Sequence, residues 1–149
     1  MSNQIKISFP DSSVKEYKSG ISSLEIAKSI SNSLAKKILV ASFNDVHIDL
    51  STELTENGSI KFFTWDDIEG KKTFWHSSAH LLAEAVESLY PGVKFGIGPP
   101  IDNGFYYDID FMEYDSSGIN TSKIEKKFIE LCSKNLSFER KKTVSYTHL

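Results

Sequence analysis

The sequence predicts an α+β protein in two parts. Three features carry that reading: period-two apolar strands flanking a helical stripe between Met1 and Trp65, a polar segment at Asp66–Lys72, and a second helix followed by strands punctuated with glycine and proline.

In IKISFP, Ile5, Ile7 and Phe9 alternate with Lys6 and Ser8, as a strand with one buried face requires. Asp11–Ser13 is turn material and Val14–Ser19 alternates again, so the two segments predict a hairpin. Ser22-x-x-Glu25 is a capping box: each side chain can satisfy a backbone N–H left orphaned at a helix start. Behind it Leu24, Ala27, Ile30, Leu34 and Ile38 predict one continuous helix, with Ile21 as its hydrophobic staple. ILVASFNDVHIDL reads as strand, turn at Asn44-Asp45, strand. ENG at Glu56–Gly58 is a further turn, and SIKFFTW a last strand. Strand, strand, helix, strand, strand, strand over residues 1–65 is the order of the β-grasp (ubiquitin-like) fold, where one helix covers one face of a sheet.

Residues 66–72 (DDIEGKK) are polar and poor in apolar side chains, and predict a linker. From 73 to 143 a second α+β unit begins with a helix that ends at Pro91-Gly92. VKFGIGPPIDNG predicts a strand with tight turns. In GFYYDIDF, Phe105, Tyr107, Ile109 and Phe111 share one face, and Tyr106, Asp108 and Asp110 the other. SSGIN turns the chain, and Ser122 is placed to cap a helix over Lys123–Lys134 with Ile124, Phe128, Leu131 and Cys132 inward. LSFERKKTV predicts the start of another strand.

The chain has 149 residues, 40% of them hydrophobic and 25% charged, which is ordinary for a soluble globular protein. A net charge of -3 provides no overall basic field, and Arg140 is the only arginine, which disfavours bidentate reading of bases. Basic residues cluster at Lys36-Lys37, Lys71-Lys72, Lys123/Lys126/Lys127 and Arg140-Lys141-Lys142; these read as solvated faces, with phosphate contact as the alternative. Cys132 is the sole cysteine, so neither a disulfide framework nor a C-x-x-C knuckle can form. The N-terminus lacks the pattern of a signal peptide, and no apolar run is long enough for a membrane span. A cytoplasmic protein with no membrane partner is expected.

His76 and His80 are half of the four histidines and sit one helical turn apart. At that spacing two imidazoles, about 5–6 Å apart at Cβ, can converge on one water or one ion. The segment is not a metalloprotease helix, because Ser77 stands where that motif places glutamate. Further ligands are poor: His47 lies in the first part, Cys132 on an apolar face, and His148 at the C-terminus. Two ordinary surface histidines remain the competing reading, and the site is half present.

Together FWHSSAHLLAEAVESLYPGVKFGIGPPIDNGFYYDID resembles the opening of the editing domain of bacterial threonyl-tRNA synthetases. Met1–Trp65 resembles the N-terminal TGS domain of that family, a β-grasp module, and the resemblance continues to about Thr143. It implies an enzyme that attaches threonine to its tRNA with ATP and, in a separate domain, hydrolyses serine mischarged on the same tRNA. Serine lacks only a methyl group relative to threonine. A binding site gains about 1–3 kcal/mol from that difference, so a second, hydrolytic site is needed.

By the resemblance, His76 and His80 position and activate the attacking water, for which an imidazole titrating near neutral pH is suited. Gly98 and Tyr107 match positions lining the seryl pocket, Gly98 for close backbone approach and Tyr107 as a wall; Tyr107 can equally be plain core. No metal is expected in this part of the chain. ATP, magnesium, a core zinc, threonine and the homodimer contact are all implied for a catalytic domain that is missing here, with tRNA as the macromolecular partner. The second half of the editing motif, C-x-x-x-H, is also absent. The resemblance therefore implies an N-terminal fragment with half an editing site, and the truncated half should expose apolar edges. Residues 144–149, VSYTHL, are what one frame of a sequencing-library transposon end encodes, and read as a non-native tail. Two alternatives stand beside this: a free-standing TGS module that binds RNA or a ligand without catalysis, and a stand-alone editing hydrolase, which would need its own C-x-x-x-H.

Overall fold

A computed structural model describes residues 3–136. The strand expected from Leu136 onward lies, beyond that residue, outside the described part, as does the tail at 144–149. The chain divides into two compact units: residues up to Ala79 together with Gly98–Tyr107, and His80–Ile97 together with the residues from Asp108 on.

In the first unit β1 (Gln4–Ser8) and β2 (Val14–Lys18) form the expected antiparallel hairpin, with Ile5 opposite Tyr17 and Ile7 opposite Lys15. Its turn is tied by Asp11, whose Oδ1 accepts from the Ser13 amide at 2.9 Å and the Ser13 hydroxyl at 2.6 Å. β3 (Ile21–Ser22) leads into α1 (Ser23–Ile30) through the capping box: Glu25 N–H donates to Ser22 Oγ at 3.3 Å and Ser22 N–H to Glu25 Oε2 at 2.9 Å.

The single long helix expected here is two. α1 stops at Ser31, which has extended backbone (φ -165°, ψ 133°), and α2 (Asn32–Lys37) starts from it. Ser31 serves both ends: its N–H donates to the Ala27 carbonyl, and its Oγ accepts from the amides of Ser33 and Leu34. Serine competes with the helical backbone for such bonds, and the break rotates the inward face. Ile26 and Ala27 are fully buried, Ile30 is exposed, and Ile38 belongs to the next strand.

β4 (Ile38–Phe43) and β5 (Val46–Ile48) are joined at Asn44 and Asp45, both left-handed (φ 49° and 64°), the two-residue connection whose twist matches a hairpin. β6 (Glu53–Leu54) pairs with β3, a small ladder the sequence pattern did not disclose. β7 (Gly58–Thr64) closes the main sheet in the order β2-β1-β7-β4-β5, antiparallel to β4 and parallel to β1. A central parallel pair between the first and last strands is the β-grasp topology. Ile5, Ile7, Ile26, Phe43, Leu54 and Ile60 form its core. Burying each such side chain stabilises the fold by roughly 1.5–3 kcal/mol.

α3 (Ile68–Leu89) is the histidine helix, and it begins earlier than expected. Most of the 66–72 segment is therefore helix rather than linker. The cause is the Asp67 carboxylate, which accepts from the Thr64 amide at 2.8 Å, while the Thr64 hydroxyl accepts from the Asp66 amide at 3.3 Å. Gly70 is buried against the Thr64 carbonyl, where a β-carbon would collide with the oxygen. These contacts fix β7 to α3 directly.

Also in the first unit, β9 (Pro100–Ile101) and β10 (Gly104–Phe105) make a tight hairpin. In the second unit β8 (Lys94–Phe95) pairs with β11 (Ile109–Asp110), followed by a short 3-10 turn at Ser116–Gly118 and α4 (Thr121–Ser133). The expected alternation holds: Phe105, Tyr107, Ile109 and Phe111 are half-buried, and Tyr106, Asp108 and Asp110 are exposed. Val86, Tyr90 and Val93 form the second core, with Phe95, Ile109 and Phe111 against it. Tyr90 OH accepts from the Asn120 amide at 2.8 Å and so anchors the start of α4. The cap of that helix is Asn120 rather than Ser122, its Oδ1 accepting from the Lys123 amide at 3.1 Å. Ile124, Phe128 and Leu131 turn inward as expected, but Cys132 is exposed: Leu131 alone on that turn is buried. Ile97, Ile101, Tyr106 and Ile129 are exposed apolar side chains.

Candidate functional site

The site residues expected from the sequence fall into two pairs. His76 and His80 lie on successive turns of α3 and are both exposed, with the small residues Ser77, Ser78 and Ala79 between them. Ser78 Oγ donates to the Phe74 carbonyl at 2.8 Å, a bond to the preceding turn that keeps this hydroxyl on the helix. The i, i+4 spacing places the two imidazoles on one helical face. Two histidines supply two nitrogen ligands at most, and among the described residues no group of three or more His, Cys, Asp or Glu side chains is placed to hold a metal. An imidazole side chain can transfer a proton and form hydrogen bonds through either ring nitrogen.

The second pair is Gly98 and Tyr107. A β-carbon built on Gly98 would stand 2.7 Å from both Cδ2 and Cε2 of Tyr107 and 3.0 Å from Cγ. The ring therefore packs onto bare backbone, and glycine is required here by space. The two residues flank the β9–β10 hairpin, so closing that hairpin delivers the ring to the glycine. The Tyr107 ring is half-buried and packed on Gly98.

One constellation escaped the sequence reading. Trp65, Phe74 and Trp75 form an edge-to-face cluster: Trp65–Phe74 centroids are 5.1 Å apart at 87°, Trp65–Trp75 5.7 Å at 68°, and Phe74–Trp75 5.2 Å at 75°. Phe105 backs Trp75 at 6.3 Å. Trp65 and Phe74 keep 44% and 41% of their surface exposed, and Lys71 Nζ stands 5.9 Å from the Trp65 ring centroid. Trp75 Nε1 is shielded from solvent and has no hydrogen-bond partner. Beside the cluster a cavity of about 350 Å³ is lined by Ile68, Lys71, Lys72, Pro100, Asp102 and Asn103, among others. The available signal was TFW directly after GKK. With α3 starting at Ile68, Lys71 and Lys72 stand on the same helix as Phe74 and Trp75.

Residues 5–64 match the TGS domain family. Threonine–tRNA ligases match nearly the whole chain: that of Cytophaga hutchinsonii is 52% identical over 92% of it, and that of Flavobacterium psychrophilum 44% identical over 91%. The ligase of Parabacteroides distasonis is 50% identical over 91%. In each case the chain spans about a fifth, 21%, of the relative's length.

Proposed function

The chain carries a TGS domain and shares nine-tenths of its length with bacterial threonine–tRNA ligases; from this premise we propose that it forms the N-terminal part of such a ligase and contributes half of a site that hydrolyses mischarged seryl-tRNA. The observation that carries the reading is the match itself, at 44–52% identity and long enough to run through His76, His80, Gly98 and Tyr107.

In this reading the water attacks the ester carbonyl that joins serine to the tRNA. A neutral imidazole of His76 or His80 accepts the water's proton as the carbon–oxygen bond forms, and the imidazolium returns it to the departing ribose oxygen as the ester breaks to serine and free tRNA. The other imidazole holds the substrate's seryl portion by hydrogen bonding. Gly98 lets the substrate approach the backbone, and Tyr107 closes the side of the pocket with an apolar face and a polar tip. The remaining groups of the hydrolytic site, and the ATP-dependent attachment of threonine with its magnesium, zinc and dimer contact, belong to the four-fifths of the ligase outside this chain. The tRNA is the partner, and a cytoplasmic setting follows from that role.

The test is made in the intact ligase. His76→Ala and His80→Ala should each slow seryl-tRNA deacylation, the one that removes the general base by about 100-fold or more, with threonine attachment unchanged. Equal loss of both activities would overturn the assignment.

A further inference from the structure

We propose that the aromatic and lysine-bearing face at the start of α3 is a stacking site for an unpaired nucleotide of RNA. This rests on the tRNA reading above and names residues other than the histidines as the place where RNA is held. Trp65 and Phe74 keep exposed ring surface while packed edge-to-face with each other and with Trp75. Rigid, exposed rings are what a base needs to stack on, since ordering them costs little further entropy.

The surroundings identify the ligand as a nucleotide rather than an apolar peptide. Lys71 stands over Trp65 at 5.9 Å, close enough to meet the phosphate of a base stacked there, and Lys72 joins it on the cavity wall. That cavity, about 350 Å³, has room for a ribose and phosphate. Its Asp102 and Asn103 supply an acceptor and a donor for ribose hydroxyls, the 2′-hydroxyl included. Ring, cation and sugar partner thus occur side by side within one compact unit.

Trp65 and Trp75 are the only tryptophans, so the intrinsic fluorescence of the whole chain reports on this face. The experiment titrates the 149-residue chain with a short single-stranded RNA, the DNA of the same sequence, a duplex RNA of equal length, and inorganic polyphosphate. Saturable quenching by the single-stranded RNA is expected, with weaker binding of DNA and duplex. Trp65→Ala and Phe74→Ala should each weaken it about 5- to 150-fold, the range for a lost stacking ring. Trp65→Phe, which keeps a ring, should restore most of the affinity. Lys71→Gln should lower the slope of log affinity against log salt by about 0.7, one phosphate contact to a single strand.

Absence of quenching, or equal competition by polyphosphate, would overturn the proposal, the latter by showing a charge effect alone. So would a concentration-dependent fluorescence change without RNA, which would make the face a contact between copies. Deacylation by the His76→Ala ligase tests the editing reading alone, so either idea can fail without the other.

Discussion

The Tyr107 ring packs on Gly98 so closely that a β-carbon at Gly98 would lie 2.7 Å from two ring atoms. The contact ties together the two ends of the segment that contains the β9–β10 hairpin. Alanine at 98 must therefore push the ring aside or spread the hairpin. Gly98→Ala should cost about 1–3 kcal/mol, the usual penalty of an overpacked site, read by urea unfolding. In a Tyr107→Ala background the same change should cost almost nothing. An unchanged cost there would mean that the ring is not what excludes the side chain.

Gly70→Ala presents a sharper case. Helix propensity alone would make alanine better by about 1 kcal/mol. Here the added β-carbon would fall on the Thr64 carbonyl oxygen and lie 2.7 Å from its carbon. Backbone cannot swing aside as a side chain can, so the variant should be destabilised by about 3 kcal/mol, the upper end of overpacking costs. Thermal unfolding decides the sign: a stabilised Gly70→Ala would show that β7 and α3 do not meet as described.

Asp45 offers the opposite direction. It holds a left-handed conformation (φ 64°) in the β4–β5 turn, where an L-residue costs about 1–2 kcal/mol. Asp45→Gly should raise stability by up to about 1 kcal/mol once the greater freedom of glycine in the unfolded chain is set against that. Asn44 should not be changed alongside it, because its Oδ1 accepts from the Ser59 amide at 2.9 Å. A loss of stability in Asp45→Gly would sink this account of the turn.

The capping box predicts a pH dependence. The Ser22 backbone amide, then the Ser22 hydroxyl, hold the Glu25 carboxyl below the usual glutamate range. Its folded pKa is thus lower than the unfolded value of about 4.3. The stability it contributes is complete above that unfolded pKa and is lost as pH falls through the folded one. Acid titration of the Glu25→Gln variant should show a shallower loss of stability over that window than the parent chain. Ser22→Ala, which removes the cap itself, should cost about 1 kcal/mol at neutral pH. Parallel acid curves for parent and Glu25→Gln would show that the glutamate's ionisation plays no part.

Local signals were legible because their causes are local. The Ile5/Ile7 alternation, the Ser22–Glu25 box and the Asn44-Asp45 turn each depend on residues within a few positions, and each was found where the sequence placed it. The i, i+4 spacing of His76 and His80 was readable for the same reason, as was the inward face of Phe105, Tyr107, Ile109 and Phe111. Even the β-grasp order could be inferred, since few topologies suit one helix among five strands.

Tertiary structure decided what depends on residues far apart or on competing local bonds. The periodic stripe across Ser31 promised one helix, yet the serine's own hydrogen bonds to Ala27, Ser33 and Leu34 ended one and began another. A polar run at 66–72 promised a linker, but Asp67 and Gly70 bind it to Thr64, and no periodicity encodes a carboxylate reaching back three residues to an amide. Trp65, Phe74, Trp75 and Phe105 are spread over some forty residues and become a single face only when the β9–β10 hairpin brings Phe105 against Trp75. Hydrophobic pattern fixes which side of an element is buried. Which distant partner that side meets is set by packing over the whole core, and that is where Gly98 acquired its tyrosine.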